Sequence, residues 1–212
     1  MVEQIVVVGA GGFGRETLDV IEAINGASPG SVWDVVGVID DSGGGAHLNR
    51  LAARSYRHLG SIAQNQALLA RTPRVVAIGD PHLRARIDSR ILGPLAPALV
   101  HPSSVIGSAS SLADGAVVCA GALVSTNVTI LRSVHVNPGA IIGHDATLGE
   151  YVSVNPGAVI SGEVTVSRET LIGAGSTVLQ GLSIGTGSII GAAACVTRDV
   201  DSGAIVKGVP AR

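Results

Sequence analysis

Among the six histidines of the chain, only His144 is followed by an acid, in the segment Gly143-His144-Asp145-Ala146-Thr147-Leu148-Gly149. A neighbouring carboxylate favours the imidazolium form and can hold one ring tautomer, which suits a general base that works near neutral pH. Successive side chains of a strand point to opposite faces, so these two side chains can pair only where the chain turns. The sequence therefore predicts proton-transfer chemistry at His144, supported by Asp145. A solvent-exposed corner histidine without a catalytic role is the alternative.

The segment that must position this pair repeats every six residues from Val105 to Val200. An amphipathic helix needs apolar residues three and four apart and an ordinary strand needs them two apart, so neither explains the pattern. A period of six fits three short strands per coil of 18 residues, each strand burying one aliphatic side chain. We therefore expect an all-β parallel β-helix of roughly five coils. The positions counted in steps of six from residue 106 are all isoleucine, leucine or valine: Ile106, Leu112, Val118, Val124, Ile130, Val136, Ile142, Leu148, Val154, Ile160, Val166, Ile172, Val178, Ile184, Ile190 and Val196.

The coil length also predicts which residues stack on one another. Gly162 follows His144 by 18 residues, so we expect it one coil above His144 in the same column. A glycine at that place leaves its backbone N–H unobstructed. Ala174 and Ala192 are related by the same interval, and both are small.

Residues 1–98 show a different pattern, in which strands and helices alternate. This order predicts a small Rossmann-like α/β domain with a parallel sheet. The boundary with the next domain is marked by three prolines, Pro94, Pro97 and Pro102. We assign residues 99–212 to a β-helix domain with a C-terminal tail. The expected elements are strands at Gln4–Val8, Val35–Ile39 and Val75–Ile78, helices at Arg15–Asn25 and Pro81–Leu92, and a loop at 41–45.

The loops that follow the predicted strands could bind a ligand. Gly9, Gly11 and Gly14 fit the G-x-G-x-x-G arrangement, in which glycines let the backbone approach a phosphate at a helix N-terminus. The carboxyl ends of parallel strands are where α/β sheets bind ligands. Because residues 1–98 supply only one mononucleotide-binding half, we favour a nucleotide or nucleotide-linked sugar over NAD; a tight turn without a ligand is the remaining alternative. The residues expected to contact the ligand are Gly11, Gly12, Phe13, Asp40, Asp41 and Gly79.

Composition narrows the class of protein. Of 212 residues, 46% are hydrophobic but only 2% are aromatic, and the formal net charge is −2. No run of about 18 apolar residues occurs, so no membrane span is expected. The lack of basic clusters argues against nucleic-acid binding. The first residues lack a basic region before a cleavage site, which favours a cytoplasmic enzyme whose two cysteines are free thiols.

Runs such as Ile142-Gly143-His144-Asp145-Ala146 and Ile172-Gly173-Ala174-Gly175-Ser176 resemble the left-handed hexapeptide-repeat acyltransferases. With the N-terminal loops and the tail Val206-Lys207-Gly208-Val209-Pro210-Ala211-Arg212, the chain is similar over nearly its whole length to the NeuD/PglD-like nucleotide-sugar acetyltransferases. The resemblance implies a left-handed β-helix and acetyl-CoA as co-substrate. It also implies that the acceptor is the amino group of a nucleotide-linked amino sugar, and that the enzyme is a homotrimer with sites between subunits.

The same resemblance assigns roles to individual residues. It makes His144 the base, Asp145 the acid that raises its basicity, and the Gly162 amide the donor to the thioester carbonyl. It assigns Ser153, Ala174 and Ala192 to coenzyme A contact. Phe13 and Ser153 stand where the group often has histidine, which leaves the acceptor sugar open.

Three further functions are consistent with parts of the sequence. An O-acetyltransferase acting on a sugar or related small molecule would use the same residues. An NAD-binding regulator would use the glycine-rich loop and keep the β-helix as a scaffold. A zinc enzyme resembling the γ-class carbonic anhydrases would need converging histidines, and His101, His135 and His144 lack the close pair of that family, so no metal site is expected.

Overall fold

The N-terminal part of the chain is built around three parallel strands in the order β2-β1-β3. The computed structural model describes residues 2–42 and 44–212, so Gly43 of the predicted 41–45 loop lies outside the described residues. The predicted Rossmann-like arrangement is present. Its strands are β1 Glu3–Val8, β2 Trp33–Ile39 and β3 Arg74–Val76, its helices are α1 Gly12–Ala27, α2 Gly45–Ala52, α3 Gln66–Leu69 and α4 Pro81–Asp88, and Ala63–Asn65 form a 3₁₀ turn.

Several boundaries differ from the prediction. Helix α1 begins at Gly12 instead of Arg15, because the glycine-rich loop itself supplies its first turn. Strand β3 ends at Val76, and α4 ends at Asp88 instead of near Leu92. The apolar pattern does not predict α2 and α3, since each of these helices buries a single leucine.

From Leu99 onward the chain forms two-residue strands separated by short turns, which is the predicted β-helix. The strands lie in three parallel sheets, here called the first, second and third faces. The first face contains β4 Leu99–Val100, β7 Val117–Val118, β10 His135–Val136, β13 Ser153–Val154, β16 Leu171–Ile172, β19 Ile189–Ile190 and β21 Ile205–Val206. The second face contains β5 Val105–Ile106, β8 Leu123–Val124, β11 Ile141–Ile142, β14 Val159–Ile160, β17 Thr177–Val178 and β20 Cys195–Val196. The third face contains β6 Ser111–Leu112, β9 Thr129–Ile130, β12 Thr147–Leu148, β15 Thr165–Val166 and β18 Ser183–Ile184.

The six-residue column of aliphatic side chains fills the interior of the β-helix. From Val118 to Val196 its members are at most 1% exposed. The β-helix extends beyond the six-residue repeat of 105–200 at both ends, since β4 pairs with β7 and β21 pairs with β19. Ile189 pairs with Ile205, an offset of 16 residues instead of 18, so the last coil is shorter and the strict repeat ends at Val196.

The outward sides of the three faces differ in chemistry. The N-terminal part covers the first face, where Val117, His135 and Ser153 are at most 1% exposed. The second face leaves an aliphatic stripe open to solvent, in which Val105 is 58% exposed and Ile141 is 40% exposed. The third face carries a hydroxyl column, Ser111, Thr129, Thr147, Thr165 and Ser183.

A buried carboxylate joins the two parts. Asp88 of α4 accepts hydrogen bonds from Arg74 at 2.6 Å, from Arg132 of the β-helix at 2.5 Å and from the Tyr151 hydroxyl at 2.8 Å. A buried charge is tolerated only when it is paired in this way. The contact therefore fixes the N-terminal part against the corner between the third and first faces.

Candidate active site

His144 and Asp145 lie at the corner between the second and third faces, between β11 and β12. Asp145 has φ +60°, a left-handed conformation that aspartate tolerates better than most residues. This turn brings the side chains together, and His144 Nδ1 lies 2.7 Å from Asp145 Oδ2. Both side chains are about half exposed, at 48% and 47%. The arrangement commits Nδ1 to the carboxylate and leaves Nε2 for proton transfer.

Asp145 has a second partner that the sequence interpretation missed. Asn127 Nδ2 donates to Asp145 Oδ1 at 3.2 Å from one coil below. The hydrogen bond with His144, followed by that with Asn127, lowers the pKa of Asp145. The 18-residue interval between Asn127 and Asp145 was the signal that could have identified this contact.

Gly162 lies directly against the imidazole ring of His144. A Cβ at Gly162 would come within 2.5 Å of His144 Cε1 and 2.6 Å of Nε2. A Cβ at Gly143 would lie 2.5 Å from the Gly162 nitrogen. Among the described residues, no acceptor takes a hydrogen bond from the Gly162 N–H. Because Gly143 and Gly162 lack side chains, the unpaired N–H of Gly162 stays open beside the His144 ring, as the 18-residue stacking predicts.

A cavity of about 310 Å³ opens at the carboxyl ends of the N-terminal strands. All six residues predicted to contact the ligand line it, and its walls are otherwise mostly aliphatic. Gly11, Gly12 and Gly79 face open space, since a Cβ added at any of the three would have no other atom within 4 Å. The aliphatic walls and the exposed glycine backbone suit a ligand with an apolar part and a polar part.

The two predicted aspartates of the cavity have different surroundings. Asp40 accepts hydrogen bonds from the Ala10 N–H at 2.6 Å and from the Ser42 N–H at 2.8 Å, so it shapes the glycine-rich loop. Asp41 accepts from the Ile62 N–H at 2.8 Å, and its other oxygen lies 3.5 Å from Arg90. Both carboxylates therefore organise the rim in addition to lining it.

Phe13 joins the cavity to the β-helix. Its ring stacks on His135 with centroids 4.0 Å apart and an interplanar angle of 21°. Burial lowers the pKa of His135 well below its usual value, and the nearby Arg84 charge adds to this effect. His135 is therefore a neutral part of the contact between the two parts of the chain.

The predicted coenzyme A contact at Ser153 does not fit the structure. Ser153 is only 1% exposed, and its hydroxyl donates to the Gly79 carbonyl at 2.9 Å and accepts from Arg84 at 3.0 Å. The N-terminal part covers the first face at this position, which the sequence pattern could not indicate. Ser153 supports the wall of the cavity and has no free surface for a cofactor.

Ala174 and Ala192 are exposed and stack as predicted, since the Ala193 N–H donates to the Ala174 carbonyl. They lie at the corner between the first and second faces, whereas His144 lies at the corner between the second and third faces. The cavity lies above the first face, away from both of these corners. One chain therefore does not bring together the predicted base, the predicted cofactor contacts and the predicted acceptor pocket.

The three histidines considered for zinc are also separated. His101 follows β4 at the corner between the first and second faces, His135 is buried on the first face, and His144 occupies the opposite corner. Across residues 2–42 and 44–212 no group of three potential ligands is close enough to hold a metal ion. Over the same residues, no helix has the length and hydropathy of a membrane span.

Fold and site define a protein in which a parallel α/β region precedes a left-handed β-helix, the architecture of the hexapeptide-repeat acyltransferases. Residues 4–91 match the family described as the PglD N-terminal domain, which confirms the predicted resemblance to the NeuD/PglD-like group. No curated protein sequence matches the chain.

Three solved structures are similar over the whole length. PerB from Caulobacter crescentus, in complex with CoA and GDP-perosamine, is 26% identical, with a TM-score of 0.85 and coverage of 100% of this chain and 97% of that chain. The acetyltransferase domain of PglB from Neisseria gonorrhoeae, in complex with acetyl coenzyme A, is 27% identical, with a TM-score of 0.80 and coverage of 100% and 99%. WeeI from Acinetobacter baumannii is 27% identical, with a TM-score of 0.83 and coverage of 99% of each chain.

Proposed function

We propose that this protein transfers the acetyl group of acetyl-CoA to the amino group of a nucleotide-linked amino sugar. The observation that carries the proposal is the open Nε2 of His144 beside the unpaired amide of Gly162. A base and a backbone donor within one turn of each other are what acyl transfer requires. The similar PerB structure contains both CoA and GDP-perosamine, which supports the two substrates.

In the proposed reaction the uncharged amine attacks the thioester carbonyl carbon, and His144 Nε2 accepts the proton that the nitrogen loses. The negative charge that develops on the carbonyl oxygen is stabilised by the Gly162 N–H. The tetrahedral intermediate then collapses, the carbon–sulfur bond breaks, and the imidazolium returns the proton to the departing thiolate. Asp145 stabilises the imidazolium while it exists, and its lowered pKa keeps it ionised at neutral pH.

The substrates would occupy separate surfaces of the protein. The cavity lined by Gly11, Gly12 and Gly79 would hold the nucleotide, with open glycines that allow close approach of phosphate. Ala174 and Ala192 would lie along the coenzyme A chain, because small exposed residues leave room for it. Acetyl-CoA and free thiols are both consistent with a cytoplasmic location.

We further propose a homotrimer with a shared active site. The second face has an exposed aliphatic stripe that borders the His144 corner and consists of Val105, Leu123 and Ile141. Exposed apolar surfaces of this kind are usually buried by association with another molecule. A neighbouring copy packed on this stripe would place its bound substrates beside His144. The cavity of the same chain cannot do so, because it lies above the first face. Closed symmetry would then generate equivalent sites, each incomplete in a monomer.

A panel of GDP-, UDP- and dTDP-linked amino sugars tests the proposed reaction, with coenzyme A release and product mass as readouts. We expect an N-acetylated product from at least one of them. Loss of about 10²–10⁴-fold in kcat is expected for His144→Ala, with acetyl-CoA affinity little changed. Acetylation of serine or a simple sugar, with no turnover of any nucleotide-linked amino sugar, would refute the proposed acceptor.

Mixed trimers test whether the site is shared. His144→Ala subunits would be co-expressed with subunits whose cavity is blocked by Gly11→Trp, each variant being inactive alone. If each site uses the cavity of one subunit and His144 of another, random mixing restores about a quarter of the wild-type activity. No restored activity in a verified mixed trimer would place the whole site within one chain.

A further inference from the structure

Arg84 of α4 is buried to 0% exposure, and among the described residues it forms no hydrogen bond with a carboxylate. Its guanidinium instead donates to neutral oxygens on both sides of the junction between the two parts of the chain. Burial lowers the pKa of Arg84 to about 9, which still leaves it charged at neutral pH. Burying a cation whose direct hydrogen-bond partners are all neutral is costly, and the nearby Asp80 charge, which raises the pKa of Arg84, offsets part of that cost. The acceptors are Ile78 O, Gly79 O, Ser133 O, Tyr151 O, Val152 O and Ser153 Oγ.

These contacts orient two peptide groups of the cavity wall. Nη1 of Arg84 donates to the carbonyls of Ile78 and Gly79, and the Ser153 hydroxyl donates to the Gly79 carbonyl at 2.9 Å. Both peptides are trans, because the Val209–Pro210 bond is the only cis peptide among the described residues. In a planar trans peptide the N–H points opposite to the C=O. The N–H groups of Gly79 and Asp80 are therefore turned away from Arg84; Gly79 lines the cavity, and Asp80 follows it directly in the chain.

Both of these amides are unused within the part of the chain that the structure describes. The Gly79 and Asp80 N–H groups donate to no atom of residues 2–42 or 44–212. On the opposite wall of the cavity, the Gly11 and Gly12 N–H groups at the start of α1 are equally unused within the described residues. No lysine or arginine is among the described residues that line the cavity. A phosphate there would have to be bound by backbone amides and helix N-termini.

We propose that Arg84 is a positioning residue that holds the Gly79 and Asp80 amides toward the diphosphate of the nucleotide-linked substrate. It acts through the backbone and does not touch the ligand. Ser153 shares the task by holding the same Gly79 carbonyl from the β-helix. This assignment gives the buried serine a role in acceptor binding in place of the predicted coenzyme A contact. It rests on the proposed function for the identity of the ligand.

Binding of GDP, UDP and dTDP, measured by calorimetry on the full-length protein, tests this role without requiring catalysis. For the diphosphate that binds the wild type most tightly, we expect Arg84→Lys to raise Kd by about 10- to 100-fold, the usual effect of losing hydrogen bonds to a charged group. Ser153→Ala removes one hydroxyl and should raise Kd by about threefold. In steady-state assays the KM for the nucleotide sugar should rise in parallel, with the KM for acetyl-CoA unchanged.

Arg74→Lys is the matched control. Arg74 is also buried, at 3% exposure, and binds the Gly93 and Pro94 carbonyls and Asp88, away from the cavity. It should lower the melting temperature without changing the Kd of the nucleoside diphosphate. Equal Kd values for wild type and folded Arg84→Lys would overturn the proposal, and if that variant does not fold, an unchanged Kd for Ser153→Ala would do so. Failure of the wild type to bind any of the three diphosphates would instead reject the acceptor pocket of the proposed function.

Discussion

Gly162→Ala should remove most of the catalytic activity while leaving the protein folded. The added Cβ would lie 2.5 Å from Cε1 and 2.6 Å from Nε2 of His144, whereas non-bonded carbon atoms settle at about 3.5–4.0 Å. The imidazole ring must therefore retreat by about 1 Å or rotate out of the corner. Because His144 is about half exposed, it can move without unpacking the interior.

The size of the effect follows from this displacement. Misplacing a reacting group by about 1 Å costs roughly 10²-fold in rate, and losing access to an oxyanion donor costs about 10²–10³-fold. We therefore expect kcat to fall by about 10²–10³-fold. The KM for the nucleotide sugar should change little, since the cavity lies above the first face. The assay is coenzyme A release under saturating substrates, with circular dichroism and a melting curve on the same sample.

Two further variants make this result decisive. Gly26→Ala adds the same methyl group to an exposed position of α1 with no atom within 4 Å, and it should keep full activity. If Gly162→Ala acts by displacing the ring, the double variant with His144→Ala should be little worse than His144→Ala alone. Full additivity of the two effects, or a kcat within about threefold of the wild type for Gly162→Ala, would refute the reasoning.

Three other perturbations test separate parts of the structure. Ile141→Asp should dissociate the proposed trimer and lower kcat. Thr147→Asp, on the hydroxyl-bearing third face, should leave the trimer and its kcat unchanged. Light scattering that shows a fully active monomer would contradict both the assembly and the shared site. Asp40→Ala should raise the KM for the nucleotide sugar about tenfold and leave that for acetyl-CoA alone, whereas the reverse pattern would reject its assignment. The hydrogen bond from His82 lowers the pKa of Glu169, so this contact stabilises the protein above the unfolded carboxyl pKa and is lost as pH falls through the folded value. Glu169→Gln, which removes the carboxylate that His82 and Arg168 contact, should accordingly lower the melting temperature by about 1–2 °C at pH 7 and by progressively less as the pH falls below the unfolded carboxyl pKa; an equal loss at every pH would exclude a contribution from the charged carboxylate.

The β-helix was predictable in detail because its repeat is local. Each coil places residues 18 apart in neighbouring strands, so the stacking of Gly162 on His144 follows from counting along the chain. The same 18-residue interval relates Asn127 to Asp145, so this contact could also have been predicted by counting along the chain. Prediction failed where the repeat ended, since nothing in the six-residue pattern fixes the 16-residue offset between Ile189 and Ile205.

The N-terminal domain was predictable in its order but not in its contacts. Its buried strands and glycine-rich loop carry strong local signals, whereas α2 and α3 bury one leucine each and carry none. Phe13 stacks on His135, and Arg84 reaches Ser153, across sequence separations for which no periodicity exists. Such contacts depend on how one domain docks on another.

Three features could be predicted from residues that are near in sequence or separated by a constant interval. These are the α/β region that precedes the β-helix, the aliphatic interior of the β-helix, and the His144–Asp145 pair. Three features became apparent only in the folded protein: Ser153 is covered, Arg84 binds two peptide groups of the cavity wall, and the cavity and His144 lie on different sides of the β-helix. These features depend on how the N-terminal part docks on the β-helix. Docking is governed by complementary surfaces and buried charges, such as Asp88 between Arg74 and Arg132, whose partners are distant in the chain. A local pattern of residues therefore does not predict which face of the β-helix will be covered.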